Sequence, residues 1–264
     1  MIFGFLKNRR RRRLRARVIP SVWGITIARG FPLFGRLPGE DQAELLGHVQ
    51  VFLAEKTFEG CGGLELTDEI RLIVAAQACL LLLHRKTNYY PELSTILVYP
   101  STYITDDDRH IEGLIWESGQ QHLLGHTQQR LGTVVLAWDA AKQSAANSRD
   151  GRNLVLHEFA HQLDFEDHAT DGTPVLAKRE DYEKWQRVMT REYNALCAAD
   201  DTGRPTVLDP YGATNPAEFF AVATETFFER PCELRAGHPE MYRELRRFYC
   251  QDPALYFIGS VTLE

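Results

Sequence analysis

The sequence has 264 residues, of which 44% are hydrophobic and 25% charged. That is a globular composition, long enough to bury a core without disulfide or metal staples, and it excludes a wholly disordered chain. The net charge of −6 is uneven: residues 1–17 hold eight of the 30 Lys and Arg and no Asp or Glu, which leaves 22 basic against 36 acidic residues, or −14, in the remainder. An acidic body is a poor non-specific binder of polyanions, so no specific nucleic-acid binding is expected.

The basic stretch Lys7–Arg17 reads as a solvated, flexible arm, and as a candidate contact for anionic surfaces with Phe3 and Phe5 beside it. With the Pro- and Gly-punctuated loop Arg29–Gly39 it forms a first region, residues 1–38, ahead of a body at 39–255 and a tail at 256–264. No apolar run approaches ~20 residues, and the apolar segment Met1–Leu6 precedes the basic one, the reverse of a secretory leader. A cytoplasmic location is expected. Cys61, Cys79, Cys197, Cys232 and Cys250 are widely spaced with no CxxC, which predicts free, mostly buried thiols.

Asp41–Phe58 shows helical periodicity, with Leu45, Leu46, Val49, Phe52 and Leu53 on one face. Glu59–Thr67 is Gly-rich and closes on a short strand. Thr67 is a fair cap for a helix running to about Arg85, whose apolar middle predicts a central, covered element. Thr95–Tyr99, Glu112–Trp116, Gln121–Leu124 and Gly132–Trp138 are β-rich and separated by turn formers, and they predict one small mixed sheet. Helices are predicted at about 151–165, 180–198, 215–229 and 238–249, with polar loops at Glu166–Pro174 and Asp200–Asn215. The order helices, strands, helices gives an α+β fold in a single domain.

Inside the helix predicted at 151–165 stands Leu154-Val-Leu-His157-Glu158-Phe-Ala-His161-Gln-Leu-Asp164. Two histidines four apart share one helix face, so both imidazoles reach one metal ion. Glu158 follows His157 directly, where a general base for an activated water belongs. Random placement gives roughly 0.02 occurrences of such a pattern in a chain of this size, so coincidence is a weak explanation. His122-Leu-Leu-Gly-His126 has the same histidine spacing but no following Glu, and it sits among predicted strands, where that spacing does not bring two rings together.

Catalytic zinc usually takes three protein ligands plus water. An extended HExxHxxGxxH/D pattern would place Asp167 third, but Asp164 stands where that pattern needs glycine. Asn215-Pro-Ala-Glu218-Phe-Phe-Ala-Val-Ala-Thr-Glu225 offers two better candidates. Glu218, flanked by Phe219 and Phe220, is the first choice, because a carboxylate in an apolar interior needs a cation. Glu225, seven residues on and on nearly the same face, is the second. Asp164, three residues after His161, is a candidate to hold a ligand imidazole through its other nitrogen, or simply ends the helix.

His157–Asp164 together with Tyr211-Gly-Ala-Thr-Asn-Pro-Ala-Glu218-Phe-Phe-Ala-Val resembles the Mlc titration factor A family of zinc-dependent peptidases. The start of the helix at 68–85, Leu97–Pro100 and Val134–Trp138 resemble it too, and the likeness spans roughly residues 40–255. It implies a fold like the catalytic domain of anthrax lethal factor, and one zinc ion bound by His157, His161 and Glu218. It implies Glu158 as catalytic carboxylate and aminopeptidase-type activity on peptides. Tyr211 matches a tyrosine that faces the metal in such sites, where its phenol would donate to a developing oxyanion. Glu225, Asp167 and Glu166 are candidate anchors for a substrate ammonium. The family name also implies a transcription-regulator partner, so the alternative expectation is a regulatory protein with weak or no peptidase activity. The arginine-rich start and the loop 166–178 depart from the family pattern.

Overall fold

The computed structural model describes residues 2–101 and 132–258. The strands predicted at Glu112–Trp116 and Gln121–Leu124, the pair His122 and His126, and the last six residues lie outside the described residues. Contacts divide the chain into two compact units, Met1–Leu83 with Leu93–Ala146, and His84–Glu92 with Asn147–Glu264.

The first unit begins with helix α1 (Ile2–Arg15), α2 (Ser21–Gly30) and a 3-10 turn at Pro32–Arg36. The basic arm expected to be loose is thus helical. Its Arg11 is buried and makes a bidentate pair with Glu55 of α3 (Gly39–Glu55), with Nε to Oε1 at 2.9 Å and Nη2 to Oε2 at 2.7 Å. α3 stops before its predicted end because the chain extends at Lys56 to enter β1 (Thr57–Gly60), so the strand precedes the Gly-rich segment instead of following it. Thr67 caps α4 (Asp68–Leu80), its hydroxyl accepting from Ile70 N at 3.3 Å. Every residue from Leu72 to Leu80 is buried, as its composition requires. α4 gives way to turns at Leu81, short of the predicted Arg85.

β1, β2 (Thr95–Tyr99) and β3 (Thr133–Ala137) form a three-stranded sheet in that order, with both described pairs parallel. The mixed sheet expected from the sequence is therefore parallel over these strands. Alternation along a strand says which face a residue takes and not which way the neighbour runs. Ile96, Val98, Val134 and Leu136 are buried on one face, and α5 (Trp138–Ala146) follows β3 without a loop.

The second unit carries α6 (Leu154–Asp164), α7 (Arg179–Asp201), α8 (Pro216–Glu229), α9 (Pro231–Gly237), α10 (Pro239–Tyr249) and α11 (Ala254–Ile258). α8 is buried along nearly its whole length and packs against α6. Around it Trp185, Phe220 and Phe248 meet edge to face, with ring centroids 5.6–5.8 Å apart. Thr224, a polar residue inside this cluster, is satisfied by the Tyr249 hydroxyl at 2.7 Å. No helix among the described residues is long and apolar enough to cross a membrane. The five cysteines are free, but only Cys79 is buried, which corrects the expectation of mostly buried thiols.

Candidate metal centre

Two asparagine caps set the backbone on which the centre stands. Asn153 precedes α6 in extended conformation, and its Oδ1 accepts from Leu156 N at 3.0 Å. Leu154, Val155, Leu156, Phe159, Ala160 and Leu163 are buried, so α6 is immersed and takes His157 and His161 down with it, to 3% and 7% exposure. Asn215 does the same for α8: its Oδ1 accepts from the backbone N–H of Glu218 at 3.0 Å, and Pro216 occupies the first helical position, where a missing N–H costs nothing.

These helices bring three donor atoms together. His157 Nε2 lies 3.0 Å from Glu218 Oε2 and 3.1 Å from His161 Nε2, and His161 Nε2 lies 3.4 Å from Glu218 Oε2. Bonds of about 2.0–2.1 Å in a tetrahedral site put neighbouring donors about 3.3–3.4 Å apart, so the trio has the spacing of one face of a zinc coordination shell. Among the described residues no other group of three His, Cys, Asp or Glu has ligand atoms this close. Two nitrogens and one carboxylate oxygen are also a donor set that zinc accepts.

The other nitrogen of His157 is held from behind. Its Nδ1–H donates to Glu225 Oε1 at 2.7 Å, which turns Nε2 toward Glu218 and His161. The second oxygen of Glu225 accepts from Asn153 N. One turn further along α8, Glu229 accepts from Asn153 Nδ2 at 3.0 Å and from Gly151 N at 3.2 Å. So Asn153 joins a helix cap to two buried carboxyls, and Glu225 meets the far nitrogen of His157 rather than joining the trio. Burial, opposed by the Asn153 amide and reinforced by Glu225 and Asp150, pushes Glu229 up to about 9, so it is neutral at pH 7. Burial also raises Glu218, but hydrogen bonds from both histidines outweigh it and hold the carboxyl well below its ordinary range. Burial lowers His157, and Glu225 and Glu218 more than reverse this. The centre therefore demands positive charge, as a proton or as a metal ion.

Glu158 is half-buried beside the pair, and its carboxyl is raised by burial, with the imidazoles pulling the other way. The ring of Tyr211 lies 6.1 Å from that of His157. Its hydroxyl is buried close to Glu218, and burial together with the Glu218 and Glu158 carboxylates raises it. A phenol kept neutral retains a proton to donate.

Asp164 is not found holding an imidazole. Its Oδ2 accepts from Gly172 N at 3.0 Å, because the loop after α6 folds back across the end of the helix. Trp185 Nε1 donates to Gly172 O at 3.3 Å. Gly172 has φ +77, and a Cβ there would stand 2.2 Å from the carbonyl oxygen of Pro216. The loop is thus clamped against the first turn of α8, the turn that carries Glu218. Asp167 accepts from Ala169 N within its own loop and does not join the trio. Sequence reasoning missed Asn153, Gly172 and Glu229. Asn153 stands just before an apolar helical run, the ordinary sign of a cap, and Glu229 is a carboxyl in a helix too apolar to leave it unpartnered.

The family of glucose-regulated metallo-peptidase M90 matches residues 5–250. The chain belongs to this family. An uncharacterized Synechocystis protein, slr2042, is 41% identical over 246 residues, covering 93% of this chain and 90% of its own. Mlc titration factor A of Yersinia pestis and that of Yersinia pseudotuberculosis are each 32% identical over 229 residues, covering 86% of this chain and 83% of theirs. The α+β metallopeptidase family that the motifs resemble is therefore the one to which this chain belongs.

Proposed function

We propose that the protein is a zinc-dependent peptidase of aminopeptidase type, with one zinc ion per chain held by His157, His161 and Glu218. The observation that carries this reading is the convergence of those three donor atoms, all within 4.8 Å of one another, within electrostatic reach of the Glu158 carboxyl. A zinc ion bound there supplies Lewis acidity, bringing the pKa of water down to about 7 and polarising a scissile carbonyl.

The side chains do the rest. Glu158 accepts the proton of the attacking water and passes it to the departing amine, and a raised carboxyl pKa suits both halves of that transfer. Tyr211, its phenol kept neutral, donates its hydroxyl proton to the oxygen on which negative charge develops. Glu225 fixes the tautomer of His157. With both of its oxygens engaged it is no anchor for a substrate ammonium, which leaves Glu166 and Asp167 as candidates. Substrates are peptides or proteins. Five cysteines with no disulfide among them fit the reducing cytoplasm.

Glu158→Gln tests the reading. It retains zinc and loses roughly 10²–10⁴-fold in cleavage of amino-acid anilides. A variant that cleaves as the wild type does removes Glu158 from the chemistry. The name of the Yersinia relatives, a titration factor, favours a second reading, capture of a regulatory protein. That reading gains if the zinc-loaded wild type cleaves no peptide or anilide yet binds such a partner.

A further inference from the structure

Outside the metal centre, the first helix is the feature left without a task. Residues 4–10 of α1 are exposed around the whole circumference of the helix. Phe5 and Leu6 are 63% and 53% exposed, although a body of this size has room to bury them. Behind them come Lys7 and six exposed arginines between Arg9 and Arg17, with no acidic residue in the first 17. Only Arg11 and Leu14 turn inward, and the bidentate pair of Arg11 with Glu55 ties α1 to α3. The array is therefore presented on a fixed helix, which lowers the ordering cost of docking it on a surface. In the same unit Val22 and Ile25, on α2, are 57% and 68% exposed.

We propose that α1 docks the protein onto an anionic lipid bilayer, with Phe5 and Leu6 entering the interface and the cations behind them meeting lipid phosphates. Apolar side chains followed by a cationic collar match the two layers of that surface in order. A nucleic acid would engage the cations and leave Phe5 and Leu6 in water. The 14 residues of α1 make a helix of roughly 21 Å, too short to span, so it inserts only its tip or lies along the interface. The remaining chain carries a balance of −14 and is repelled by the same surface, so the attraction rests on α1.

Flotation of the full chain with vesicles tests this, using phosphatidylcholine alone and phosphatidylcholine mixed equally with phosphatidylglycerol. Each cation near such a surface gives roughly a fivefold gain, so binding to the mixed vesicles exceeds that to the neutral ones at least ~tenfold and weakens as salt is raised. Soluble inorganic phosphate does not displace the protein. Phe5→Ser with Leu6→Ser lowers binding at least ~tenfold, and Arg9, Arg10, Arg12 and Arg13 all changed to Glu abolish it. All of these side chains are exposed, so thermal unfolding stays as in the wild type. Equal flotation with both vesicle types, or none, overturns the proposal. So does binding that ignores the Phe5 and Leu6 changes while a DNA duplex is held as tightly as the lipid. Should either variant unfold, the salt and lipid dependence of the wild type decides alone.

Discussion

Changing Glu225 to Gln swaps one carboxylate oxygen for an amide NH₂ and leaves size and shape almost untouched. Glu225 accepts two hydrogen bonds, from His157 Nδ1 and from Asn153 N. Glutamine has one acceptor for these two donors, so each orientation of its amide leaves a buried conflict, of about 1–3 kcal/mol. With NH₂ toward His157, the ring must carry its proton on Nε2, the nitrogen that ligates. With NH₂ toward Asn153, two donors face each other at the start of α6. Either outcome lowers zinc affinity by roughly 10–100-fold, or about 1.4–2.7 kcal/mol. Competition against a chromogenic zinc chelator at neutral pH measures it. Glu218→Ala, which deletes a donor atom, loses more zinc than Glu225→Gln. An unchanged zinc Kd in a folded Glu225→Gln protein, or equal zinc retention by the two variants, would refute the assignment of Glu218 as ligand and Glu225 as its support.

Gly172→Ala places a methyl against the Pro216 carbonyl and forces a left-handed φ on a side-chain-bearing residue. A stability loss of roughly 3 kcal/mol is expected, with weaker zinc binding because the first turn of α8 shifts; chemical denaturation with and without zinc checks both. Burial raises Asp164 to about 6, although Gly172 N–H and His161 oppose this. The folded state then holds that proton more tightly than the unfolded one does. Its contribution to stability is full below about pH 4 and is lost as pH rises through about 6, a change of roughly 3 kcal/mol. Asp164→Asn removes that dependence, so the stability of wild type minus variant falls by about this amount between pH 4 and 7. A difference that stays flat with pH counts against it.

The sequence made α6 legible because its information is local: a four-residue spacing within an apolar run. The apolar flanks of Glu218 rank it ahead of Glu225, but the task of Glu225 was not legible. Seven residues are roughly 10 Å along a helix, and the two carboxylates reach the same imidazole from its two nitrogens. Which nitrogen each meets depends on how α8 is offset against α6, and no periodicity encodes that. Asp164 failed for a related reason, since its partner is a backbone N–H of a loop whose course only the fold fixes. The helix at residues 2–15 was hidden by its charge, because one arginine among many turns inward and composition does not say which. The positions of β2 and β3 followed from β-branched runs, whereas that of β1 and the parallel direction of all three did not.

The groups that build the centre lie within the stretch Gly151–Glu229, and the contacts linking its two helices join residues 61 to 78 positions apart. Closing a loop costs free energy that grows only as the logarithm of its length, so the first such contact bears nearly the whole entropic penalty. The others follow at little extra cost, because each end is carried on a helix already formed. A metal ion held by residues 157 and 218 would bind only where these contacts have already formed, so its binding free energy would add to the stability of this segment, and chelation should loosen the segment along with silencing it.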